Sequence, residues 1–177
     1  MKPAPDPDGV RSAKAGDQAA FERLLRPLID PAYRFACVML SDPDAAEDVV
    51  QEAAVKAWRK LDQLHDGYDP QPWFLGIVAN QCRSFRRTKW WSTVKIADPS
   101  GTGDAPDERV ARSVDLRRAI GRLNRQQRAT LTLHYYLDLP LEDVAAVTKQ
   151  SLAAVRSQLY RALRKMRPDL EIPKALQ

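Results

Sequence analysis

Residues 141–166 have the sequence LEDVAAVTKQSLAAVRSQLYRALRKM, which decides the fold of the C-terminal part of the chain. A short apolar helical pattern is followed by a tight connection at residues 149–151 and by a second helical pattern, as in a helix-turn-helix. One side of the second helix is apolar at helical spacing, through Leu152, Val155, Leu159, Ala162 and Met166. We expect that side to be buried and the opposite side to face outward.

The outward side of this second helix is basic. From Arg156 to Arg167 there are five basic residues and no acidic one. A helix-turn-helix presents such a face to the major groove, where Arg pairs with guanine and Lys or Arg with phosphate. The residues on this face are Arg156, Ser157, Tyr160, Arg161, Arg164 and Lys165. A solvated basic face on a bundle helix is the alternative, but the turn, the apolar stripe and the basic face coincide, which favours DNA binding.

A second basic cluster lies upstream, between residues 73 and 91. Basic residues alternate there with aromatic ones, and the set is Trp73, Phe74, Arg83, Phe85, Arg86, Arg87, Lys89, Trp90 and Trp91. Such a mixture suits single-stranded nucleic acid, because rings stack on exposed bases while Arg and Lys hold phosphates. The aromatic residues could equally belong to the core. Asn80, one turn before Arg83, offers both a donor and an acceptor to a base edge.

An acidic cluster precedes the basic one. It consists of Asp42, Asp44, Glu47, Asp48 and Glu52, together with Gln51. The helix dipole favours carboxylates in a first turn, but Gln51 and Glu52 lie too far along the helix for that explanation. In a basic protein, an acidic stripe is unsuited to DNA contact. We interpret it as a protein-docking face.

The chain divides into two parts with helical apolar patterns. Residues 1–16 lack a hydrophobic period and are predicted to be a disordered N-terminal tail. One domain is predicted over residues 17–91 and another over 113–168, with a C-terminal tail at 169–177. Residues 92–112 are dominated by Ser, Thr, Gly, Pro and Asp and are predicted to form a flexible linker.

Several local signals mark helix boundaries in the first domain. Asp17 is suited to cap a helix, along which Pro27 and Pro31 are predicted to kink the path or restart it. The turn SDPD at 41–44 opens a helix predicted to reach Leu61.

Beyond that helix, a loop is predicted from Asp62 to Pro72, followed by a helix from Trp73 to about Trp91. No segment alternates apolar and polar residues over the length of a strand. The predicted fold class is therefore all-α, with two small helical domains, the second a helix-turn-helix.

Composition limits the function classes. Lys and Arg number 28 against 23 Asp and Glu, and the net charge of +5 favours a polyanionic partner. No apolar run is long enough for a membrane span or a signal peptide, so we expect a cytoplasmic protein with no membrane insertion. Cys37 and Cys82 are expected to be buried small hydrophobic residues rather than a disulfide.

The sequence contains no recognisable catalytic set. We find no nucleophile with its base, no phosphate-binding glycine loop and no carboxylate pair suited to a cleft. His65 and His134 are the only histidines, and neither forms zinc-type spacing with Cys37 or Cys82. We therefore predict a protein that is not an enzyme, with no metal site and no cofactor.

Three motifs in this order resemble the sigma-70 family of bacterial transcription initiation factors. DAAEDVVQEAAVKAWRKLDQL at 44–64 resembles the conserved helix of region 2, and PWFLGIVANQCRSFRR at 72–87 resembles the promoter-melting helix that follows it. The helix-turn-helix at 141–166 is similar to region 4. The short linker in place of an intermediate region is typical of the extracytoplasmic-function (ECF) group. An RNA polymerase sigma factor is thus the function that the resemblance implies.

The resemblance also implies roles for individual residues. Asp48, Gln51 and Glu52 would contact the clamp helices of core RNA polymerase, and Leu133 and Tyr136 its flap. The minus-10 element, read as it melts to single strands, would contact His65, Asp66, Tyr68, Asn80, Arg83, Arg86 and Arg87. The duplex minus-35 element would contact Ser151, Arg156, Ser157, Tyr160, Arg161 and Arg164.

Two further expectations accompany this assignment. An anti-sigma factor is expected as an additional partner of an ECF sigma factor. The alternative function is a helix-turn-helix transcriptional regulator that does not join polymerase. The first domain discriminates between them, because a regulator does not need an acidic docking helix followed by a basic aromatic one.

Overall fold

The computed structural model describes residues 7–92 and 119–167, and all regular structure within them is helical. Residues 119–121 are helical, and the helices used below are α1 (Pro7–Lys14), α2 (Gln18–Leu40), α3 (Pro43–Arg59), α4 (Pro70–Ser92), α5 (Arg125–Leu131), α6 (Leu141–Thr148) and α7 (Leu152–Met166). A 3-10 turn at Leu61–Gln63 follows α3, and a π turn at Thr132–Tyr136 continues α5. The predicted all-α fold class is confirmed.

Helices α1 to α4 form a bundle in which α2 contacts the other three and α3 contacts α4. The starts of α2 and α3 are fixed by aspartate caps, as the sequence predicts. The Asp17 Oδ1 atom accepts a hydrogen bond from the Ala20 N–H over 3.1 Å, and Asp42 Oδ1 accepts one from the Ala45 N–H over 3.1 Å. Each cap satisfies a backbone donor that has no partner within its helix.

The prediction of a disordered tail is wrong for residues 7–14, which form α1. Val10 and Ala13 lie on one side of this helix and are buried in the bundle core. The Lys14 Nζ atom also pairs with Asp66 Oδ1 over 2.7 Å. A helix of eight residues with two small apolar side chains gives almost no periodic signal, and its stability comes from tertiary packing. Residues 1–6 lie outside the described residues.

Prolines affect the helices less than their sequence positions predict. Helix α2 continues through Pro27 and Pro31 without restarting, and Pro27 faces solvent, where the carbonyl left without its N–H partner can meet water. Helix α4 begins at Pro70 rather than Trp73, because a proline in the first turn removes only an N–H that has no helical partner.

Helix α3 ends at Arg59, two residues before the predicted Leu61.

The predicted helix-turn-helix is present in the second half of the chain. Helix α6 ends at Thr148 and is capped by Lys149, whose φ of 57° is left-handed, and the Gln150 N–H donates to the Ala145 carbonyl over 3.0 Å. Ser151 then caps α7, its Oγ accepting from the Ala154 N–H over 3.2 Å. The turn therefore lies at the predicted residues, 149–151.

The two halves of the chain share one hydrophobic core. Phe35 and Phe74 from the first half belong to the same buried cluster as Leu133, Val144 and Val155 from the second. Helix α4 packs on α6, and α2 contacts α5. Apart from Ser92, which ends α4, the predicted linker lies outside the described residues, as does the predicted tail at 169–177.

Candidate nucleic-acid and protein interfaces

Helix α7 has the predicted buried and exposed sides. Val155, Leu159, Ala162 and Met166 are buried, and Leu152 is half-buried. All the predicted polar and basic positions of the opposite face are exposed, namely Arg156, Ser157, Tyr160, Arg161, Arg164 and Lys165. Their exposure follows from the apolar stripe, because burying one side of a helix directs the other outward.

Hydrogen bonds fix the residue at which α7 begins and hold the helix against α5. The Ser151 hydroxyl is exposed but already accepts the capping hydrogen bond, so its O–H remains to donate to an anion. The Gln158 Nε2 atom donates to Gln126 Oε1 over 3.0 Å, and Lys165 Nζ donates to Gln127 Oε1 over 3.3 Å. Both bonds hold α7 against α5. The exposed basic face is therefore carried by a supported helix.

The acidic side of α3 is exposed at Asp48, Gln51 and Glu52. Glu52 is oriented by a residue that the sequence reasoning missed. Buried Gln81 on α4 donates from Nε2 to Glu52 Oε2 over 2.7 Å and accepts at Oε1 from Lys56 Nζ over 2.6 Å. A single glutamine thus joins α3 to α4 and holds a carboxylate at the surface. Only the fold could identify it, because no sequence spacing links residues 52 and 81.

Two apolar side chains extend the same side of α3. Val55 is 54% exposed and Trp58 is 38% exposed, four and seven residues after Gln51. The Trp58 ring packs edge-on against Phe21, with ring centroids 5.0 Å apart. The spacing from Gln51 would have been enough to place them on one face. The exposed face of α3 is therefore acidic at its N-terminal part and apolar at its C-terminal part.

Asn80 and Arg83 form a pair on α4. Asn80 is exposed, and its Oδ1 accepts a hydrogen bond from Arg83 Nη2 over 2.8 Å. Partial burial lowers the pKa of Arg83, and the guanidinium remains charged at physiological pH. Arg86 and Arg87 are exposed one turn further along. These four predicted minus-10 residues lie together on one segment of α4.

The loop residues predicted for the same element form a separate group. His65 and Tyr68 are exposed, with ring centroids 5.7 Å apart. Asp66 pairs with Lys14, and this hydrogen bond and charge hold the pKa of the Asp66 carboxyl below its usual range. Asn80 lies ten residues beyond Pro70, or about 15 Å along the helix axis. The loop group precedes α4, whereas Asn80 and its neighbours lie within the helix.

Three aromatic side chains of α4 belong to the hydrophobic core or pack against it. Phe74 is fully buried, and Trp73 and Phe85 pack against the same hydrophobic cluster. Phe74 is therefore not free to stack on bases, whereas Trp73 and Phe85 are half-buried. The side chains of Trp90 and Trp91 lie outside the described part of the chain.

The expectation that Leu133 contacts polymerase is wrong for this structure. Leu133 is fully buried, whereas Tyr136 is 55% exposed. In the π turn the backbone bonds span five residues instead of four, so residues three apart diverge around the axis more than in an α-helix. Tyr136 accepts a hydrogen bond from Arg34, whose guanidinium lies 5.7 Å from the centre of the ring.

The histidines and cysteines of the described residues show no arrangement suited to metal binding. Within residues 7–92 and 119–167, no three side chains of His, Cys, Asp or Glu lie close enough to hold a metal ion. His134 Nδ1 lies 2.9 Å from the Leu139 carbonyl. Cys82 is buried as expected, and burial raises the pKa of its thiol to about 12, while Cys37 is half-buried. Among the described helices, none is long and apolar enough to cross a membrane.

Comparison with known proteins assigns the two halves to one family. Residues 20–92 match the family model of Sigma-70 region 2, and residues 113–166 match that of Sigma-70, region 4. The chain belongs to the sigma-70 family. The region 2 match decides against a regulator that carries only the helix-turn-helix.

Curated relatives place the chain among the ECF sigma factors. ECF RNA polymerase sigma factor BldN of Streptomyces coelicolor is 29% identical over 177 residues, covering 92% of this chain and 67% of BldN. ECF RNA polymerase sigma factor SigL of Mycobacterium tuberculosis is 29% identical over 168 residues, covering 89% of this chain and 94% of SigL.

A solved structure agrees on the fold. The sigma factor RpoE of Bartonella quintana, in complex with the anti-sigma factor NepR, superposes with a TM-score of 0.68 at 23% identity, covering 87% of this chain and 98% of RpoE. The chain is an ECF-type RNA polymerase sigma factor.

Proposed function

We propose that this sigma factor binds core RNA polymerase through α3, opens and reads the minus-10 element with α4, and reads the minus-35 element with α7. The observation that carries the proposal is the placement of opposite charges on separate supported helices. An acidic surface on α3 suits a protein partner, whereas basic surfaces on α4 and α7 suit DNA. No catalytic residues are invoked, and we infer that the protein works by binding alone, in the cytoplasm where promoter DNA is found.

The polymerase contact is assigned to Asp48, Gln51 and Glu52, with Val55 and Trp58 beside them. An interface gains specificity from charge and most of its affinity from a desolvated apolar centre. Exposed Val55 and Trp58 supply such a centre next to the carboxylates. Tyr136 is retained as a second contact, on the polymerase flap, because its ring is exposed. Leu133 acts instead by packing the segment that carries Tyr136.

The minus-10 element is assigned to Asn80, Arg83, Arg86 and Arg87, with the loop residues His65, Asp66 and Tyr68. Asn80 retains its Nδ2 donor while its Oδ1 accepts from Arg83, so it can donate to a base edge without losing its partner. Arg86 and Arg87 are exposed and suited to phosphates. Melting would be driven by binding energy, because capturing an unstacked base must offset the cost of unpairing it.

The minus-35 element is assigned to α7. Arg156 and Arg161 are the exposed groups able to pair with guanine, and Ser157, Tyr160 and Arg164 lie beside them on the same face. Ser151 is assigned to a phosphate, because its hydroxyl is at the start of the helix, where backbone N–H groups also favour anions.

We further propose that residues 17–91 and 113–168 are two domains that pack against each other through the shared core and are joined by a flexible linker. Residues 97–107 hold prolines and glycines and no large apolar side chain. Proteinase K should therefore cut the free protein first in this segment. Cleavage inside either domain before the linker would contradict the division.

An anti-sigma factor is a further proposed partner. The related RpoE of Bartonella quintana was solved in complex with the anti-sigma factor NepR. If the gene of such a partner is expressed together with that of the tagged sigma factor in an actinobacterial or proteobacterial host, the partner should co-purify with the tagged protein.

The direct test of the proposed function is association with core RNA polymerase. Purified protein is mixed with core enzyme and separated by gel filtration. We expect one sigma factor to elute with each core enzyme and to be displaced by an excess of another sigma factor. A chain that elutes separately from core at micromolar concentrations would contradict the proposal.

A further inference from the structure

A cavity of about 360 Å³ lies between the two halves of the chain. Helices α2 and α4 form one wall and the α5 and α6 region forms the other. The residues used below are Phe35, Met39, Arg83 and Arg86 from the first half, and Asn124 and Arg125 from the second. Its volume falls within the range of small-molecule sites, which is about 300 to 1,000 Å³.

Three guanidinium groups meet at this cavity without a carboxylate. Ion pairs among the described residues include Arg11 with Asp8, Lys14 with Asp66 and Arg34 with Asp30, and none of these three involves a cavity arginine. Arg83 has one hydrogen bond, to Asn80. The positive charge of the cavity is therefore unbalanced within the described residues.

Arg125 is half-buried on the wall of the cavity that the second half of the chain forms. Its Nε atom is buried and has no hydrogen-bond partner among the described residues. Burial lowers the pKa of Arg125, and the nearby charges of Arg86 and Arg128 lower it further. Arg86 belongs to α4 and Arg125 to α5, so like charges from opposite halves face each other. Such repulsion weakens the contact between the halves unless an anion lies between them.

The same geometry fits a phosphorylated anion. A guanidinium binds phosphate oxygens through two parallel N–H donors, and three such groups can hold more than one phosphoryl group. The Phe35 and Met39 side chains provide an apolar wall, which strengthens the attraction by excluding water. Asn124 accepts the capping bond from the Gln127 N–H through Oδ1, which leaves its amide N–H₂ to donate to an anion.

We propose that this cavity binds a small anion carrying two or three phosphoryl groups. Bound there, the anion would join α4 to α5 and hold the two halves together. It would also occupy Arg83 and Arg86, so its binding would compete with DNA at the promoter-facing part of α4. The existence of the site does not depend on the assignment of those arginines to the minus-10 element.

The test is isothermal titration of the full chain with sodium tripolyphosphate, in a sodium sulfate buffer of constant ionic strength. We expect one ion bound per chain. Arg86→Gln and Arg125→Gln should each weaken binding about ten-fold or more, because each removes a charge-assisted hydrogen bond. Arg26→Gln is the matched control, since Arg26 is exposed on α2, which forms part of the cavity wall, but does not line the cavity. We expect its dissociation constant to stay within about two-fold of wild type.

Three results would overturn the proposal: no binding at millimolar tripolyphosphate, several ions bound per chain, or equal weakening by Arg26→Gln and Arg86→Gln. The last two would indicate a diffuse basic surface, including a track for DNA phosphates. If Arg125→Gln lowers helicity in circular dichroism, Arg125→Lys replaces it. That variant keeps the charge and loses the planar fork, so we still expect weaker binding, and wild-type affinity would contradict the site.

Discussion

Arg34 on α2 donates a hydrogen bond to the hydroxyl of Tyr136, and its guanidinium lies 5.7 Å from the centre of that ring. The two residues are 102 positions apart and belong to different halves of the chain. Both are exposed, so their contact is not a consequence of core packing. The bond from Gln71 Nε2 to the Leu137 carbonyl, over 3.5 Å, is another polar link between the halves.

This contact predicts a measurable coupling between the two residues. A double-mutant cycle with Arg34→Ala and Tyr136→Ala should give a coupling free energy of about 0.5 to 1 kcal/mol in urea unfolding, as expected for an exposed cation–π pair. Tyr135 is the control, because it is adjacent and similarly exposed, but its ring lies tilted against that of His134. A coupling with Arg34 that is the same for both tyrosines would show that the halves are not joined through Tyr136.

Reversing the charges of α3 should prevent binding to core polymerase. The variant is Asp48→Lys with Glu52→Lys, because juxtaposed like charges cost several kcal/mol at a complementary interface. Thermal unfolding is measured in parallel, since Glu52→Lys also removes the acceptor of Gln81. The control, Glu22→Lys with Asp62→Lys, makes the same change in net charge at exposed positions outside α3. Wild-type affinity for core in the α3 variant would refute the docking assignment.

Removing Arg156 or Arg161 should change minus-35 recognition. If either pairs with a base, its replacement by Ala costs about 1 to 3 kcal/mol and relaxes preference at one base pair. If either contacts only phosphate, binding weakens equally for all sequences. Arg23→Ala is the control, since Arg23 is exposed on α2. Unchanged affinity and unchanged ranking of duplex sequences in both variants would exclude α7 from recognition.

Cys82 should resist alkylation in the folded protein. Its thiol stays protonated at pH 8, because burial raises its pKa to about 12, whereas an unfolded thiol titrates near 8.5. A pKa that is higher in the folded state means that this stabilising contribution is complete below about pH 8.5 and is lost as the pH rises toward 12. Iodoacetamide at pH 8, followed by peptide mass spectrometry, should modify Cys37 first and Cys82 only in urea. Equal rates in native buffer would contradict the burial of Cys82.

Local signals made much of the fold predictable. Asp17 and Asp42 cap helices at the expected residues, because capping depends on a side chain and a backbone N–H only three residues apart. The exposed faces of α3 and α7 were also predictable, because the helical period likewise depends only on residues that are close in sequence.

Features that depend on distant contacts were not predictable. Helix α1 is stabilised by the burial of Val10 and Ala13 against helices that the local sequence does not reveal. Leu133 was misassigned because a π turn changes which residues share a face. Gln81 was missed because its function is to join two helices across 29 residues of sequence.

The central claim is that Asn80 captures a base of the minus-10 element as the promoter opens. Holoenzyme containing Asn80→Ala is given two templates, one fully paired and one with the minus-10 region held open by mismatches. Gln18→Ala is the control, because it removes an exposed amide on α2. The account predicts loss of initiation on paired DNA and, on the open template, loss of preference among minus-10 sequences. Normal initiation on paired DNA with unchanged sequence preference on the open template would contradict it.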